Sequence, residues 1–252
     1  MADGMKYMTD SLQGRVIAVT GAGSGIGAAT VGVLAKAGAR IAALDVRWPA
    51  VKAADSTDRL DLTLDVTDES ATEAAFARIV THFGRIDGLA TCAGIVDTAA
   101  FLDIDAARFR KVMDVNVLGT FLSMKAAGSR MNAGARMVTI ASIAGLRGGG
   151  LFGTAAYSSS KGAVLALTKN AARTFGPKGI AVNCIAPGST DTPLTAPLRQ
   201  LPGRAESVAA MVPLGRSADA SEIGESIAWL LSPQASYVHG ATLVVDGGVV
   251  MY

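Results

Sequence analysis

Short apolar runs alternate with helical patterns along almost the whole 252-residue chain. The runs are rich in β-branched residues and lack a polar alternation, which is typical of strands buried on both faces of a sheet. They lie at residues 15–20, 40–45, 60–66, 87–92, 135–141, 180–185 and 241–245. Because strand–helix–strand units cross over with one hand, the alternation predicts an α/β fold with a doubly wound parallel sheet and helices on both faces.

The helical patterns fill most of the intervals between these runs. They lie at residues 28–38, 105–131 and 155–175, after Asp68 as an N-cap up to residue 83, and after Ser221 as an N-cap up to residue 231. Residues 189–215 contain four prolines and are expected to be a long substrate loop with at most short helices. No linker or composition break interrupts the chain, so we expect one domain over residues 1–252, with residues 1–13 as an N-terminal extension.

Composition argues against several classes of protein. The 23 Lys and Arg nearly balance the 21 Asp and Glu, and this net charge of +2 argues against nucleic acid as a partner. Half of the residues are hydrophobic and 17% are charged, which is inconsistent with a disordered chain. Cys92 and Cys184 lie in apolar runs and are expected as free thiols, and with two histidines they do not suggest a metal site. No membrane span or signal peptide is recognisable, so we expect a cytoplasmic protein.

A glycine-rich turn joins the first expected strand to the first helix. From Gly21 to Gly27 every second residue is glycine. Such a turn brings free backbone N–H groups and the positive end of a helix dipole to one point, which is typical of a pyrophosphate site. Gly21 would let the turn close, Gly25 would let a dinucleotide approach the backbone, and Gly27 would let the helix pack closely on the strand. The spacing differs from the usual Gly-x-Gly-x-x-Gly, and a turn without a ligand remains an alternative.

Asp45 ends the second expected strand, where a carboxylate is able to accept both ribose hydroxyls of an adenosine. The same carboxylate would repel a 2′-phosphate, and position 24 is serine rather than a basic residue. We therefore expect NAD rather than NADP as the cofactor, although Arg47 nearby leaves NADP open.

Tyr157 and Lys161 are four residues apart in a helical pattern, so their side chains share one face. A phenol is a poor base at neutral pH, but a neighbouring ammonium and a positive nicotinamide ring both favour its phenolate. Ser142, directly after an expected strand, has a hydroxyl able to hold a carbonyl oxygen beside Tyr157. Taken alone, the spacing of Tyr157 and Lys161 also fits an ordinary pair on a helix surface.

Together with further motifs in chain order, these residues resemble the short-chain dehydrogenase/reductase family in its single-domain branch. The motifs are Thr20-Gly21-x-x-x-Gly25-x-Gly27, Asp65-Val66, Ala93-Gly94, Asn116, Ser142, Tyr157-x-x-x-Lys161, Pro187-Gly188 and Thr192. They extend over about residues 14 to 248, nearly the whole chain. The resemblance implies a Rossmann-type sheet of seven strands, hydride transfer with NAD(H), and a homotetramer.

The resemblance also implies roles for individual residues. Tyr157 would be the general acid/base, and Lys161 would lower its pKa and bind the nicotinamide ribose. Ser142 would orient the substrate oxygen, and Asn116 would hold a water in the proton relay. Besides Tyr157 and Lys161, the expected cofactor contacts are Gly21, Ser24, Gly25, Ile26, Gly27, Asp45, Asp65, Val66, Ala93, Gly94, Ile95, Pro187, Gly188, Thr190 and Thr192.

The chain departs from the family pattern in two places. The family usually has asparagine where this chain has Cys92, and a thiol does not replace the hydrogen bonds of an amide. We expect an effect on stability there rather than on catalysis. The interval from Ser142 to Tyr157 is 15 residues, longer than is usual in the family. We expect the extra length in residues 147–150, beside the substrate cleft.

These observations predict an NAD(H)-dependent oxidoreductase that interconverts a secondary alcohol and a ketone on a partly apolar molecule. Two alternatives remain: a 3-oxoacyl-thioester reductase that uses NADP(H), and a dinucleotide-binding regulator or scaffold without turnover. The expected cleft has an apolar lid and wall, and three arginines are candidates for binding an acidic group. The lid and wall residues are Leu194, Leu198, Leu201, Met211, Val212, Leu151 and Phe152, and the arginines are Arg147, Arg199 and Arg204.

Overall fold

A computed structural model describes residues 11–48, 55–149, 154–199 and 203–251. Its strands are β1 (Val16–Thr20), β2 (Arg40–Asp45), β3 (Arg59–Thr63), β4 (Gly88–Thr91), β5 (Arg136–Ile140), β6 (Ala181–Pro187), β7 (Thr190–Asp191), β8 (Ala218–Asp219) and β9 (Thr242–Val245). A seven-stranded sheet has the order β3-β2-β1-β4-β5-β6-β9, and β7 pairs with β8 separately. The pairs in the large sheet are parallel, which confirms the predicted doubly wound, seven-stranded fold.

Helices connect these strands. They are α1 (Gly25–Lys36), α2 (Glu69–Phe83), α3 (Ala106–Met113), α4 (Gly119–Gly128), α5 (Ile143–Arg147), α6 (Ala155–Phe175), α7 (Ala196–Arg199), α8 (Arg204–Met211) and α9 (Ala220–Leu231). The predicted substrate loop contains the short helices α7 and α8, together with β7. Within the described ranges, no helix is both long and apolar enough to cross a membrane.

The core has two layers because the central strands are buried on both faces. Along β1, Val16 and Ala18 belong to one buried cluster, whereas Ile17 and Val19 belong to the other. This division follows from the alternation of side chains along a strand. Leu12 is fully buried in the second cluster, so part of the segment expected as an N-terminal extension already packs on the sheet. Residues 1–10 of that segment lie outside the described residues.

Two helix predictions were wrong in detail. The helix expected over residues 105–131 is interrupted between α3 and α4 by a π-helical turn, Asp114–Leu118, which contains the buried Asn116. A π turn widens a helix locally, and such turns are frequent at functional sites. The last helix begins before Ser221, since Asp219 is its N-cap and forms a reciprocal capping box with Glu222. An acid three residues before a glutamate provides both hydrogen bonds of this motif.

The strand order places a crevice at the carboxyl edge of the sheet. β1 pairs with β2 on one side and with β4 on the other, so the direction of winding reverses beside β1. Open α/β sheets bind ligands at such a reversal, outside the carboxyl ends of the strands. The glycine turn follows β1 at this edge, and Asp45 is the last residue of β2.

Candidate active site

The turn from β1 into α1 approaches neighbouring backbone too closely for side chains. Gly21 has a φ of +69°, and an added Cβ there would lie 2.6 Å from the Ala93 nitrogen. A Cβ on Gly27 would overlap the carbonyl oxygen of Gly21, because the helix packs directly on the turn. Gly25 has a φ of +53°, in the left-handed region that favours glycine. These positions form a cradle of bare backbone, as a bound pyrophosphate requires.

The N-terminus of α1 lies at the same cradle. Ser24 is the exposed N-cap residue, and within the described part of the chain its side chain makes no capping hydrogen bond. Ile26, in the first turn, packs against the second core cluster. Backbone N–H groups in the first turn of a helix favour an anion, and the helix dipole acts in the same direction. The predicted glycine and Ser24 positions therefore fit the diphosphate of a dinucleotide.

Asp45 joins the end of β2 to the glycine turn. Its Oδ2 accepts a hydrogen bond from the Gly23 N–H at 2.8 Å, and its Oδ1 accepts one from the Arg47 N–H at 2.8 Å. A carboxylate oxygen has a second lone pair, so each oxygen retains capacity for a ribose hydroxyl. The structure thus places the carboxylate of Asp45 beside the cradle.

Two further predicted segments lie along the same edge. Val66 is buried, and a Cβ on Gly119 would lie 2.5 Å from its Cγ2. Asp65 is exposed, and its Oδ1 accepts hydrogen bonds from the N–H and the hydroxyl of Thr67 at 2.9 and 2.8 Å. Ala93, after β4, donates its N–H to the Thr20 hydroxyl at the end of β1, at 3.4 Å.

The segment after β6 reaches the glycine turn from the other side. Pro187 ends β6, and the Gly188 N–H donates to the Val245 carbonyl at 2.9 Å. The buried Thr190 donates its hydroxyl to the Gly188 carbonyl at 3.2 Å. Thr192 contacts the cradle, since a Cβ on Gly25 would lie 3.4 Å from the Thr192 Cβ. Residues predicted from opposite ends of the chain therefore meet around one space.

Ser142 and Tyr157 come together as predicted. Ser142 is the N-cap of α5, where its Oγ accepts the Ala144 N–H at 3.1 Å, and Tyr157 lies in the first turn of α6. Burial raises the pKa of Tyr157, and a hydrogen bond with the Ser142 hydroxyl opposes this effect only in part. The longer interval between the two residues has therefore not displaced Ser142 from the phenol.

Lys161 lies one helical turn after Tyr157 and is 5% exposed. Its Nζ donates to the Ile140 carbonyl at 2.7 Å and lies 5.7 Å from the centroid of the Tyr157 ring. Burial lowers the pKa of Lys161 to about 8, although the Cys184 and Cys92 thiols act in the opposite direction. Burial disfavours the charged form of both groups, so it acts on the Tyr157 pKa in the direction opposite to the effect that the family resemblance implies for Lys161.

Asn116 is fully buried, and protein groups occupy its side-chain amide. Its Oδ1 accepts the Ile95 N–H at 2.8 Å, and its Nδ2 donates to the Ile95 carbonyl at 3.0 Å and to the Ser160 Oγ at 2.9 Å. The Ser160 hydroxyl donates in turn to the Tyr157 carbonyl at 2.7 Å. The sequence argument missed this role of Ser160. Its position, three residues after Tyr157 and next to Lys161, was the available signal.

Cys92, at the position where the family usually has asparagine, is partly buried and packs against the second core cluster. Burial raises its pKa to about 12, against the effect of a hydrogen bond with the Thr30 side chain. Cys184 is buried, and both cysteines are free thiols. The backbone of Cys92 keeps a sheet contact, since its N–H donates to the Thr20 carbonyl at 3.1 Å.

The substrate side is described only in part. Leu194 and Met211 of the predicted lid are each 43% exposed, whereas Val212 is buried. Arg147 is exposed at the end of α5, five residues after Ser142. Part of the predicted cleft lies outside the described residues, namely Gly150 of the expected loop insertion, the wall residues and part of the lid. The structure also leaves undescribed the side chains of Leu198, Arg199 and Arg204. The wall and lid positions outside the described chain are Leu151, Phe152 and Leu201.

Comparisons with known proteins also indicate a dehydrogenase or reductase. A family model described as Enoyl-(Acyl carrier protein) reductase matches residues 21–250. The cis-4-hydroxycyclohexanecarboxylate dehydrogenase of Sinomonas cyclohexanicum is 40% identical over 250 residues, covering 96% of this chain and 98% of that protein. A 2,5-dichloro-2,5-cyclohexadiene-1,4-diol dehydrogenase of Sphingobium indicum is 37% identical over 246 residues, covering 94% of this chain and 97% of that protein. Both names specify a dehydrogenase of a hydroxylated carbon ring.

Among solved structures, a short-chain dehydrogenase/reductase of Brucella melitensis, named glucose/ribitol dehydrogenase, superposes with a TM-score of 0.88. It is 30% identical, and the match covers 97% of this chain and 100% of that chain. The TM-score itself indicates the same fold over nearly the full length of both chains. A comparable likeness is found with a dehydrogenase/reductase of Sinorhizobium meliloti, with a TM-score of 0.83 and 30% identity.

Proposed function

Since the chain belongs to the short-chain dehydrogenase/reductase family, we propose that it uses NAD to oxidise a secondary alcohol on a small carbon ring to the ketone. The family and the dehydrogenase relatives already establish an oxidoreductase that acts on CH–OH groups. The observation that carries the finer proposal is the convergence of Ser142, whose hydroxyl acts on the Tyr157 pKa, with the Tyr157 phenol and with Lys161, whose Nζ lies 5.7 Å from the Tyr157 ring centroid. The ring as substrate is proposed from the names of the relatives.

NAD, when bound, supplies the acceptor for the hydride that leaves the carbinol carbon. The bare backbone from Gly21 to Gly27 holds the diphosphate, and the segment with Thr192 contacts the same turn. Asp45 accepts the hydroxyls of the adenosine ribose and disfavours a 2′-phosphate, because two negative charges would then meet in a partly buried place. This arrangement supports NAD over NADP.

Tyr157 carries the proton step. In the oxidation, its phenolate takes the proton of the carbinol while the Ser142 hydroxyl donates a hydrogen bond to the same substrate oxygen. Because burial raises the pKa of Tyr157, the phenolate needs a positive charge close by. The ammonium of Lys161, 5.7 Å from the ring centroid, is the positive group that this chain supplies there. Protonated Lys161 is therefore the form that supports turnover.

From Tyr157 the proton leaves the site by way of a water bound next to Asn116. Ile95 and Ser160 occupy both N–H donors of the Asn116 amide, so a relay water would donate to an oxygen of Asn116, for which we propose the main-chain carbonyl. That carbonyl also accepts the Thr120 hydroxyl at 2.8 Å, and its second lone pair accommodates the water. The side chain of Asn116 has a different task, since it holds Ile95 and the backbone of Tyr157 in a fixed relation.

The proposal is tested with a panel of alcohols and both cofactors, followed by the absorbance of the reduced cofactor. The panel contains cyclohexanol, cis- and trans-4-hydroxycyclohexanecarboxylate, and an open-chain secondary alcohol of equal carbon number. We expect the highest kcat/KM for a ring alcohol with NAD. Dominant turnover with NADP, or NADPH-driven reduction of a 3-oxoacyl thioester, would overturn the proposal. NAD binding without any turnover would instead favour a regulator or scaffold.

A further inference from the structure

The segment from Gly94 to Asp97 lies next to Lys161. Here it is called the 94–97 wall, or the wall, and it is separate in sequence from the apolar wall predicted at Leu151 and Phe152. A Cβ on Gly94 would lie 3.6 Å from the Lys161 Nζ and 3.3 Å from the Asn116 Oδ1. Asn116 holds Ile95 through both its N–H and its carbonyl. One end of this wall is therefore attached to the π turn that follows α3.

Asp97 holds the other end of the wall through its carboxylate. Oδ2 accepts the Arg108 Nε at 2.8 Å, and Oδ1 accepts the Arg108 Nη2 at 3.1 Å and the Ala99 N–H at 2.8 Å. The Asp97 side chain is 13% exposed and the Arg108 side chain 48% exposed. Burial acts to raise the pKa of Asp97, but the Ala99 N–H and Arg108 outweigh it, so the pKa is below its ordinary value. A paired, two-point contact of this kind fixes orientation as well as distance.

Thr154 connects Asp97 to the helix that carries Tyr157. Thr154 occupies the N-cap position of α6, where a threonine normally accepts a hydrogen bond from its own helix. Among the described residues its side chain caps no N–H group, and its hydroxyl donates instead to the Asp97 carbonyl at 2.5 Å. Tyr157 follows three residues later, in the first turn of the same helix. The N-cap residue of α6 therefore binds the wall instead of capping its own helix.

We infer that Arg108, Asp97 and Thr154 form a positioning unit, here called the Asp97 bridge. The bridge fixes the position of the Tyr157 phenol relative to the 94–97 wall. The inference rests on the proposed function. Arg108 lies on α3, which leads directly into the π turn with Asn116, so one continuous helical segment contacts both ends of the wall. None of the three residues of the bridge is placed at the reacting atoms. They act through Tyr157 and the wall.

If the Asp97 bridge positions Tyr157, a substitution that breaks it at either end should lower turnover to a similar extent. Thr154→Val removes the hydroxyl while keeping the shape, and Arg108→Ala removes the guanidinium. Each should lower kcat about tenfold, because small displacements of a reacting group reduce rates steeply. The double variant should lower kcat no further than either single variant, since the two changes break the same chain of contacts at its two ends, the Asp97 carbonyl and the Asp97 carboxylate. Thr154→Ser should restore kcat to within about twofold, and the affinity for NADH should stay within about twofold in all variants.

The experiment measures kcat and KM for the best ring alcohol, NADH affinity by fluorescence titration, and amide hydrogen exchange of the cofactor-free protein. Arg78→Ala is the matched control, because Arg78 forms an exposed pair with Asp55 at 3.1 Å, away from the wall. Faster exchange at residues 94–100 and at the start of α6 should occur in the bridge variants and not in the control. A purely structural role would lower thermal stability while kcat of the folded protein stays unchanged, and that result would overturn the inference.

The two proposals fail in different ways. If the wild-type protein turns over ring alcohols but Thr154→Val and Arg108→Ala leave kcat unaltered, the bridge is refuted and the proposed function stands. If the wild-type protein turns over nothing, the proposed function fails, and the exchange measurement alone decides on the bridge. If Arg108→Ala does not fold, Arg108→Lys tests the same contact, because an ammonium does not reproduce the two-point contact with Asp97. Unchanged exchange in Thr154→Val would then refute the bridge.

Discussion

Replacing Lys161 by methionine should change how the stability of the protein depends on pH. The buried ammonium has a pKa of about 8 in the folded protein, against an ordinary value of 10.5. A base with a lowered folded pKa destabilises the folded state fully below that pKa, and the penalty disappears as the pH rises towards the unfolded value. At about 1.4 kcal/mol per pKa unit, the full penalty is roughly 3 kcal/mol at neutral pH.

The pH dependence is more informative than the absolute stability. Methionine removes the buried charge, but it also leaves the Ile140 carbonyl without the donor that now lies at 2.7 Å, which costs about 1–3 kcal/mol. These two effects nearly cancel at pH 7. The cost of the unpaired Ile140 carbonyl does not vary with pH, however, whereas the penalty from the buried charge falls by roughly 1 kcal/mol between pH 7 and pH 9. The wild-type protein should therefore gain that amount relative to Lys161→Met.

The assay is urea unfolding of both proteins, free of cofactor, at pH 7, 8 and 9. All other titrating groups are common to the two chains, so the difference in unfolding free energy isolates Lys161. Lys125→Met is the control, since Lys125 is an exposed residue whose pKa is raised by Glu69 and which stays protonated in this range. A difference between wild type and Lys161→Met that is constant from pH 7 to pH 9 would refute the desolvation argument. Turnover should be lost in Lys161→Met in either case.

Three further changes test the site. Tyr157→Phe should reduce turnover by about 10²–10⁴ with unchanged NADH affinity in a fluorescence titration, and retained turnover would remove Tyr157 from the mechanism. Asp45→Ala should reduce the ratio of kcat/KM with NAD to that with NADP, and an unaltered ratio would contradict the assignment. Gly27→Ala should lower the unfolding free energy by about 1–3 kcal/mol, because its Cβ overlaps the Gly21 carbonyl. Gly32→Ala, in the same helix with open space around it, should not destabilise the protein.

The order of strands and helices was predictable from the sequence because it depends on local patterns. The unbroken apolar run at Val16–Thr20 lacks polar alternation, as a strand covered on both faces requires. The spacing of Tyr157 and Lys161 places them on one helix face wherever that helix packs. The glycine at position 27 was predicted for close packing on the strand, and the structure has the corresponding overlap with Gly21.

Other features depended on segments that lie far apart in the chain. The π turn at Asp114–Leu118 escaped prediction, because a hydrophobic period averaged over several turns does not reveal a local widening. The contacts of Asn116 with Ile95 and Ser160 cross intervals of 21 and 44 residues. The hydrogen bond from Thr154 to Asp97 crosses 57 residues, and a helix-capping rule predicts a different partner for the same hydroxyl.

The amino-acid sequence by itself determined which groups reach the carboxyl edge: a bare glycine turn, an acid at the end of β2, a hydroxyl after β5, and a phenol and an amine on α6. Only the tertiary structure decided the direction in which burial shifts the pKa values of the phenol and the amine. Burial raises the pKa of Tyr157 and lowers that of Lys161 to about 8, the reverse of what two isolated neighbours would do to one another. The reason is that desolvation depends on how closely β4, β5 and α6 pack around these groups, which no local spacing encodes.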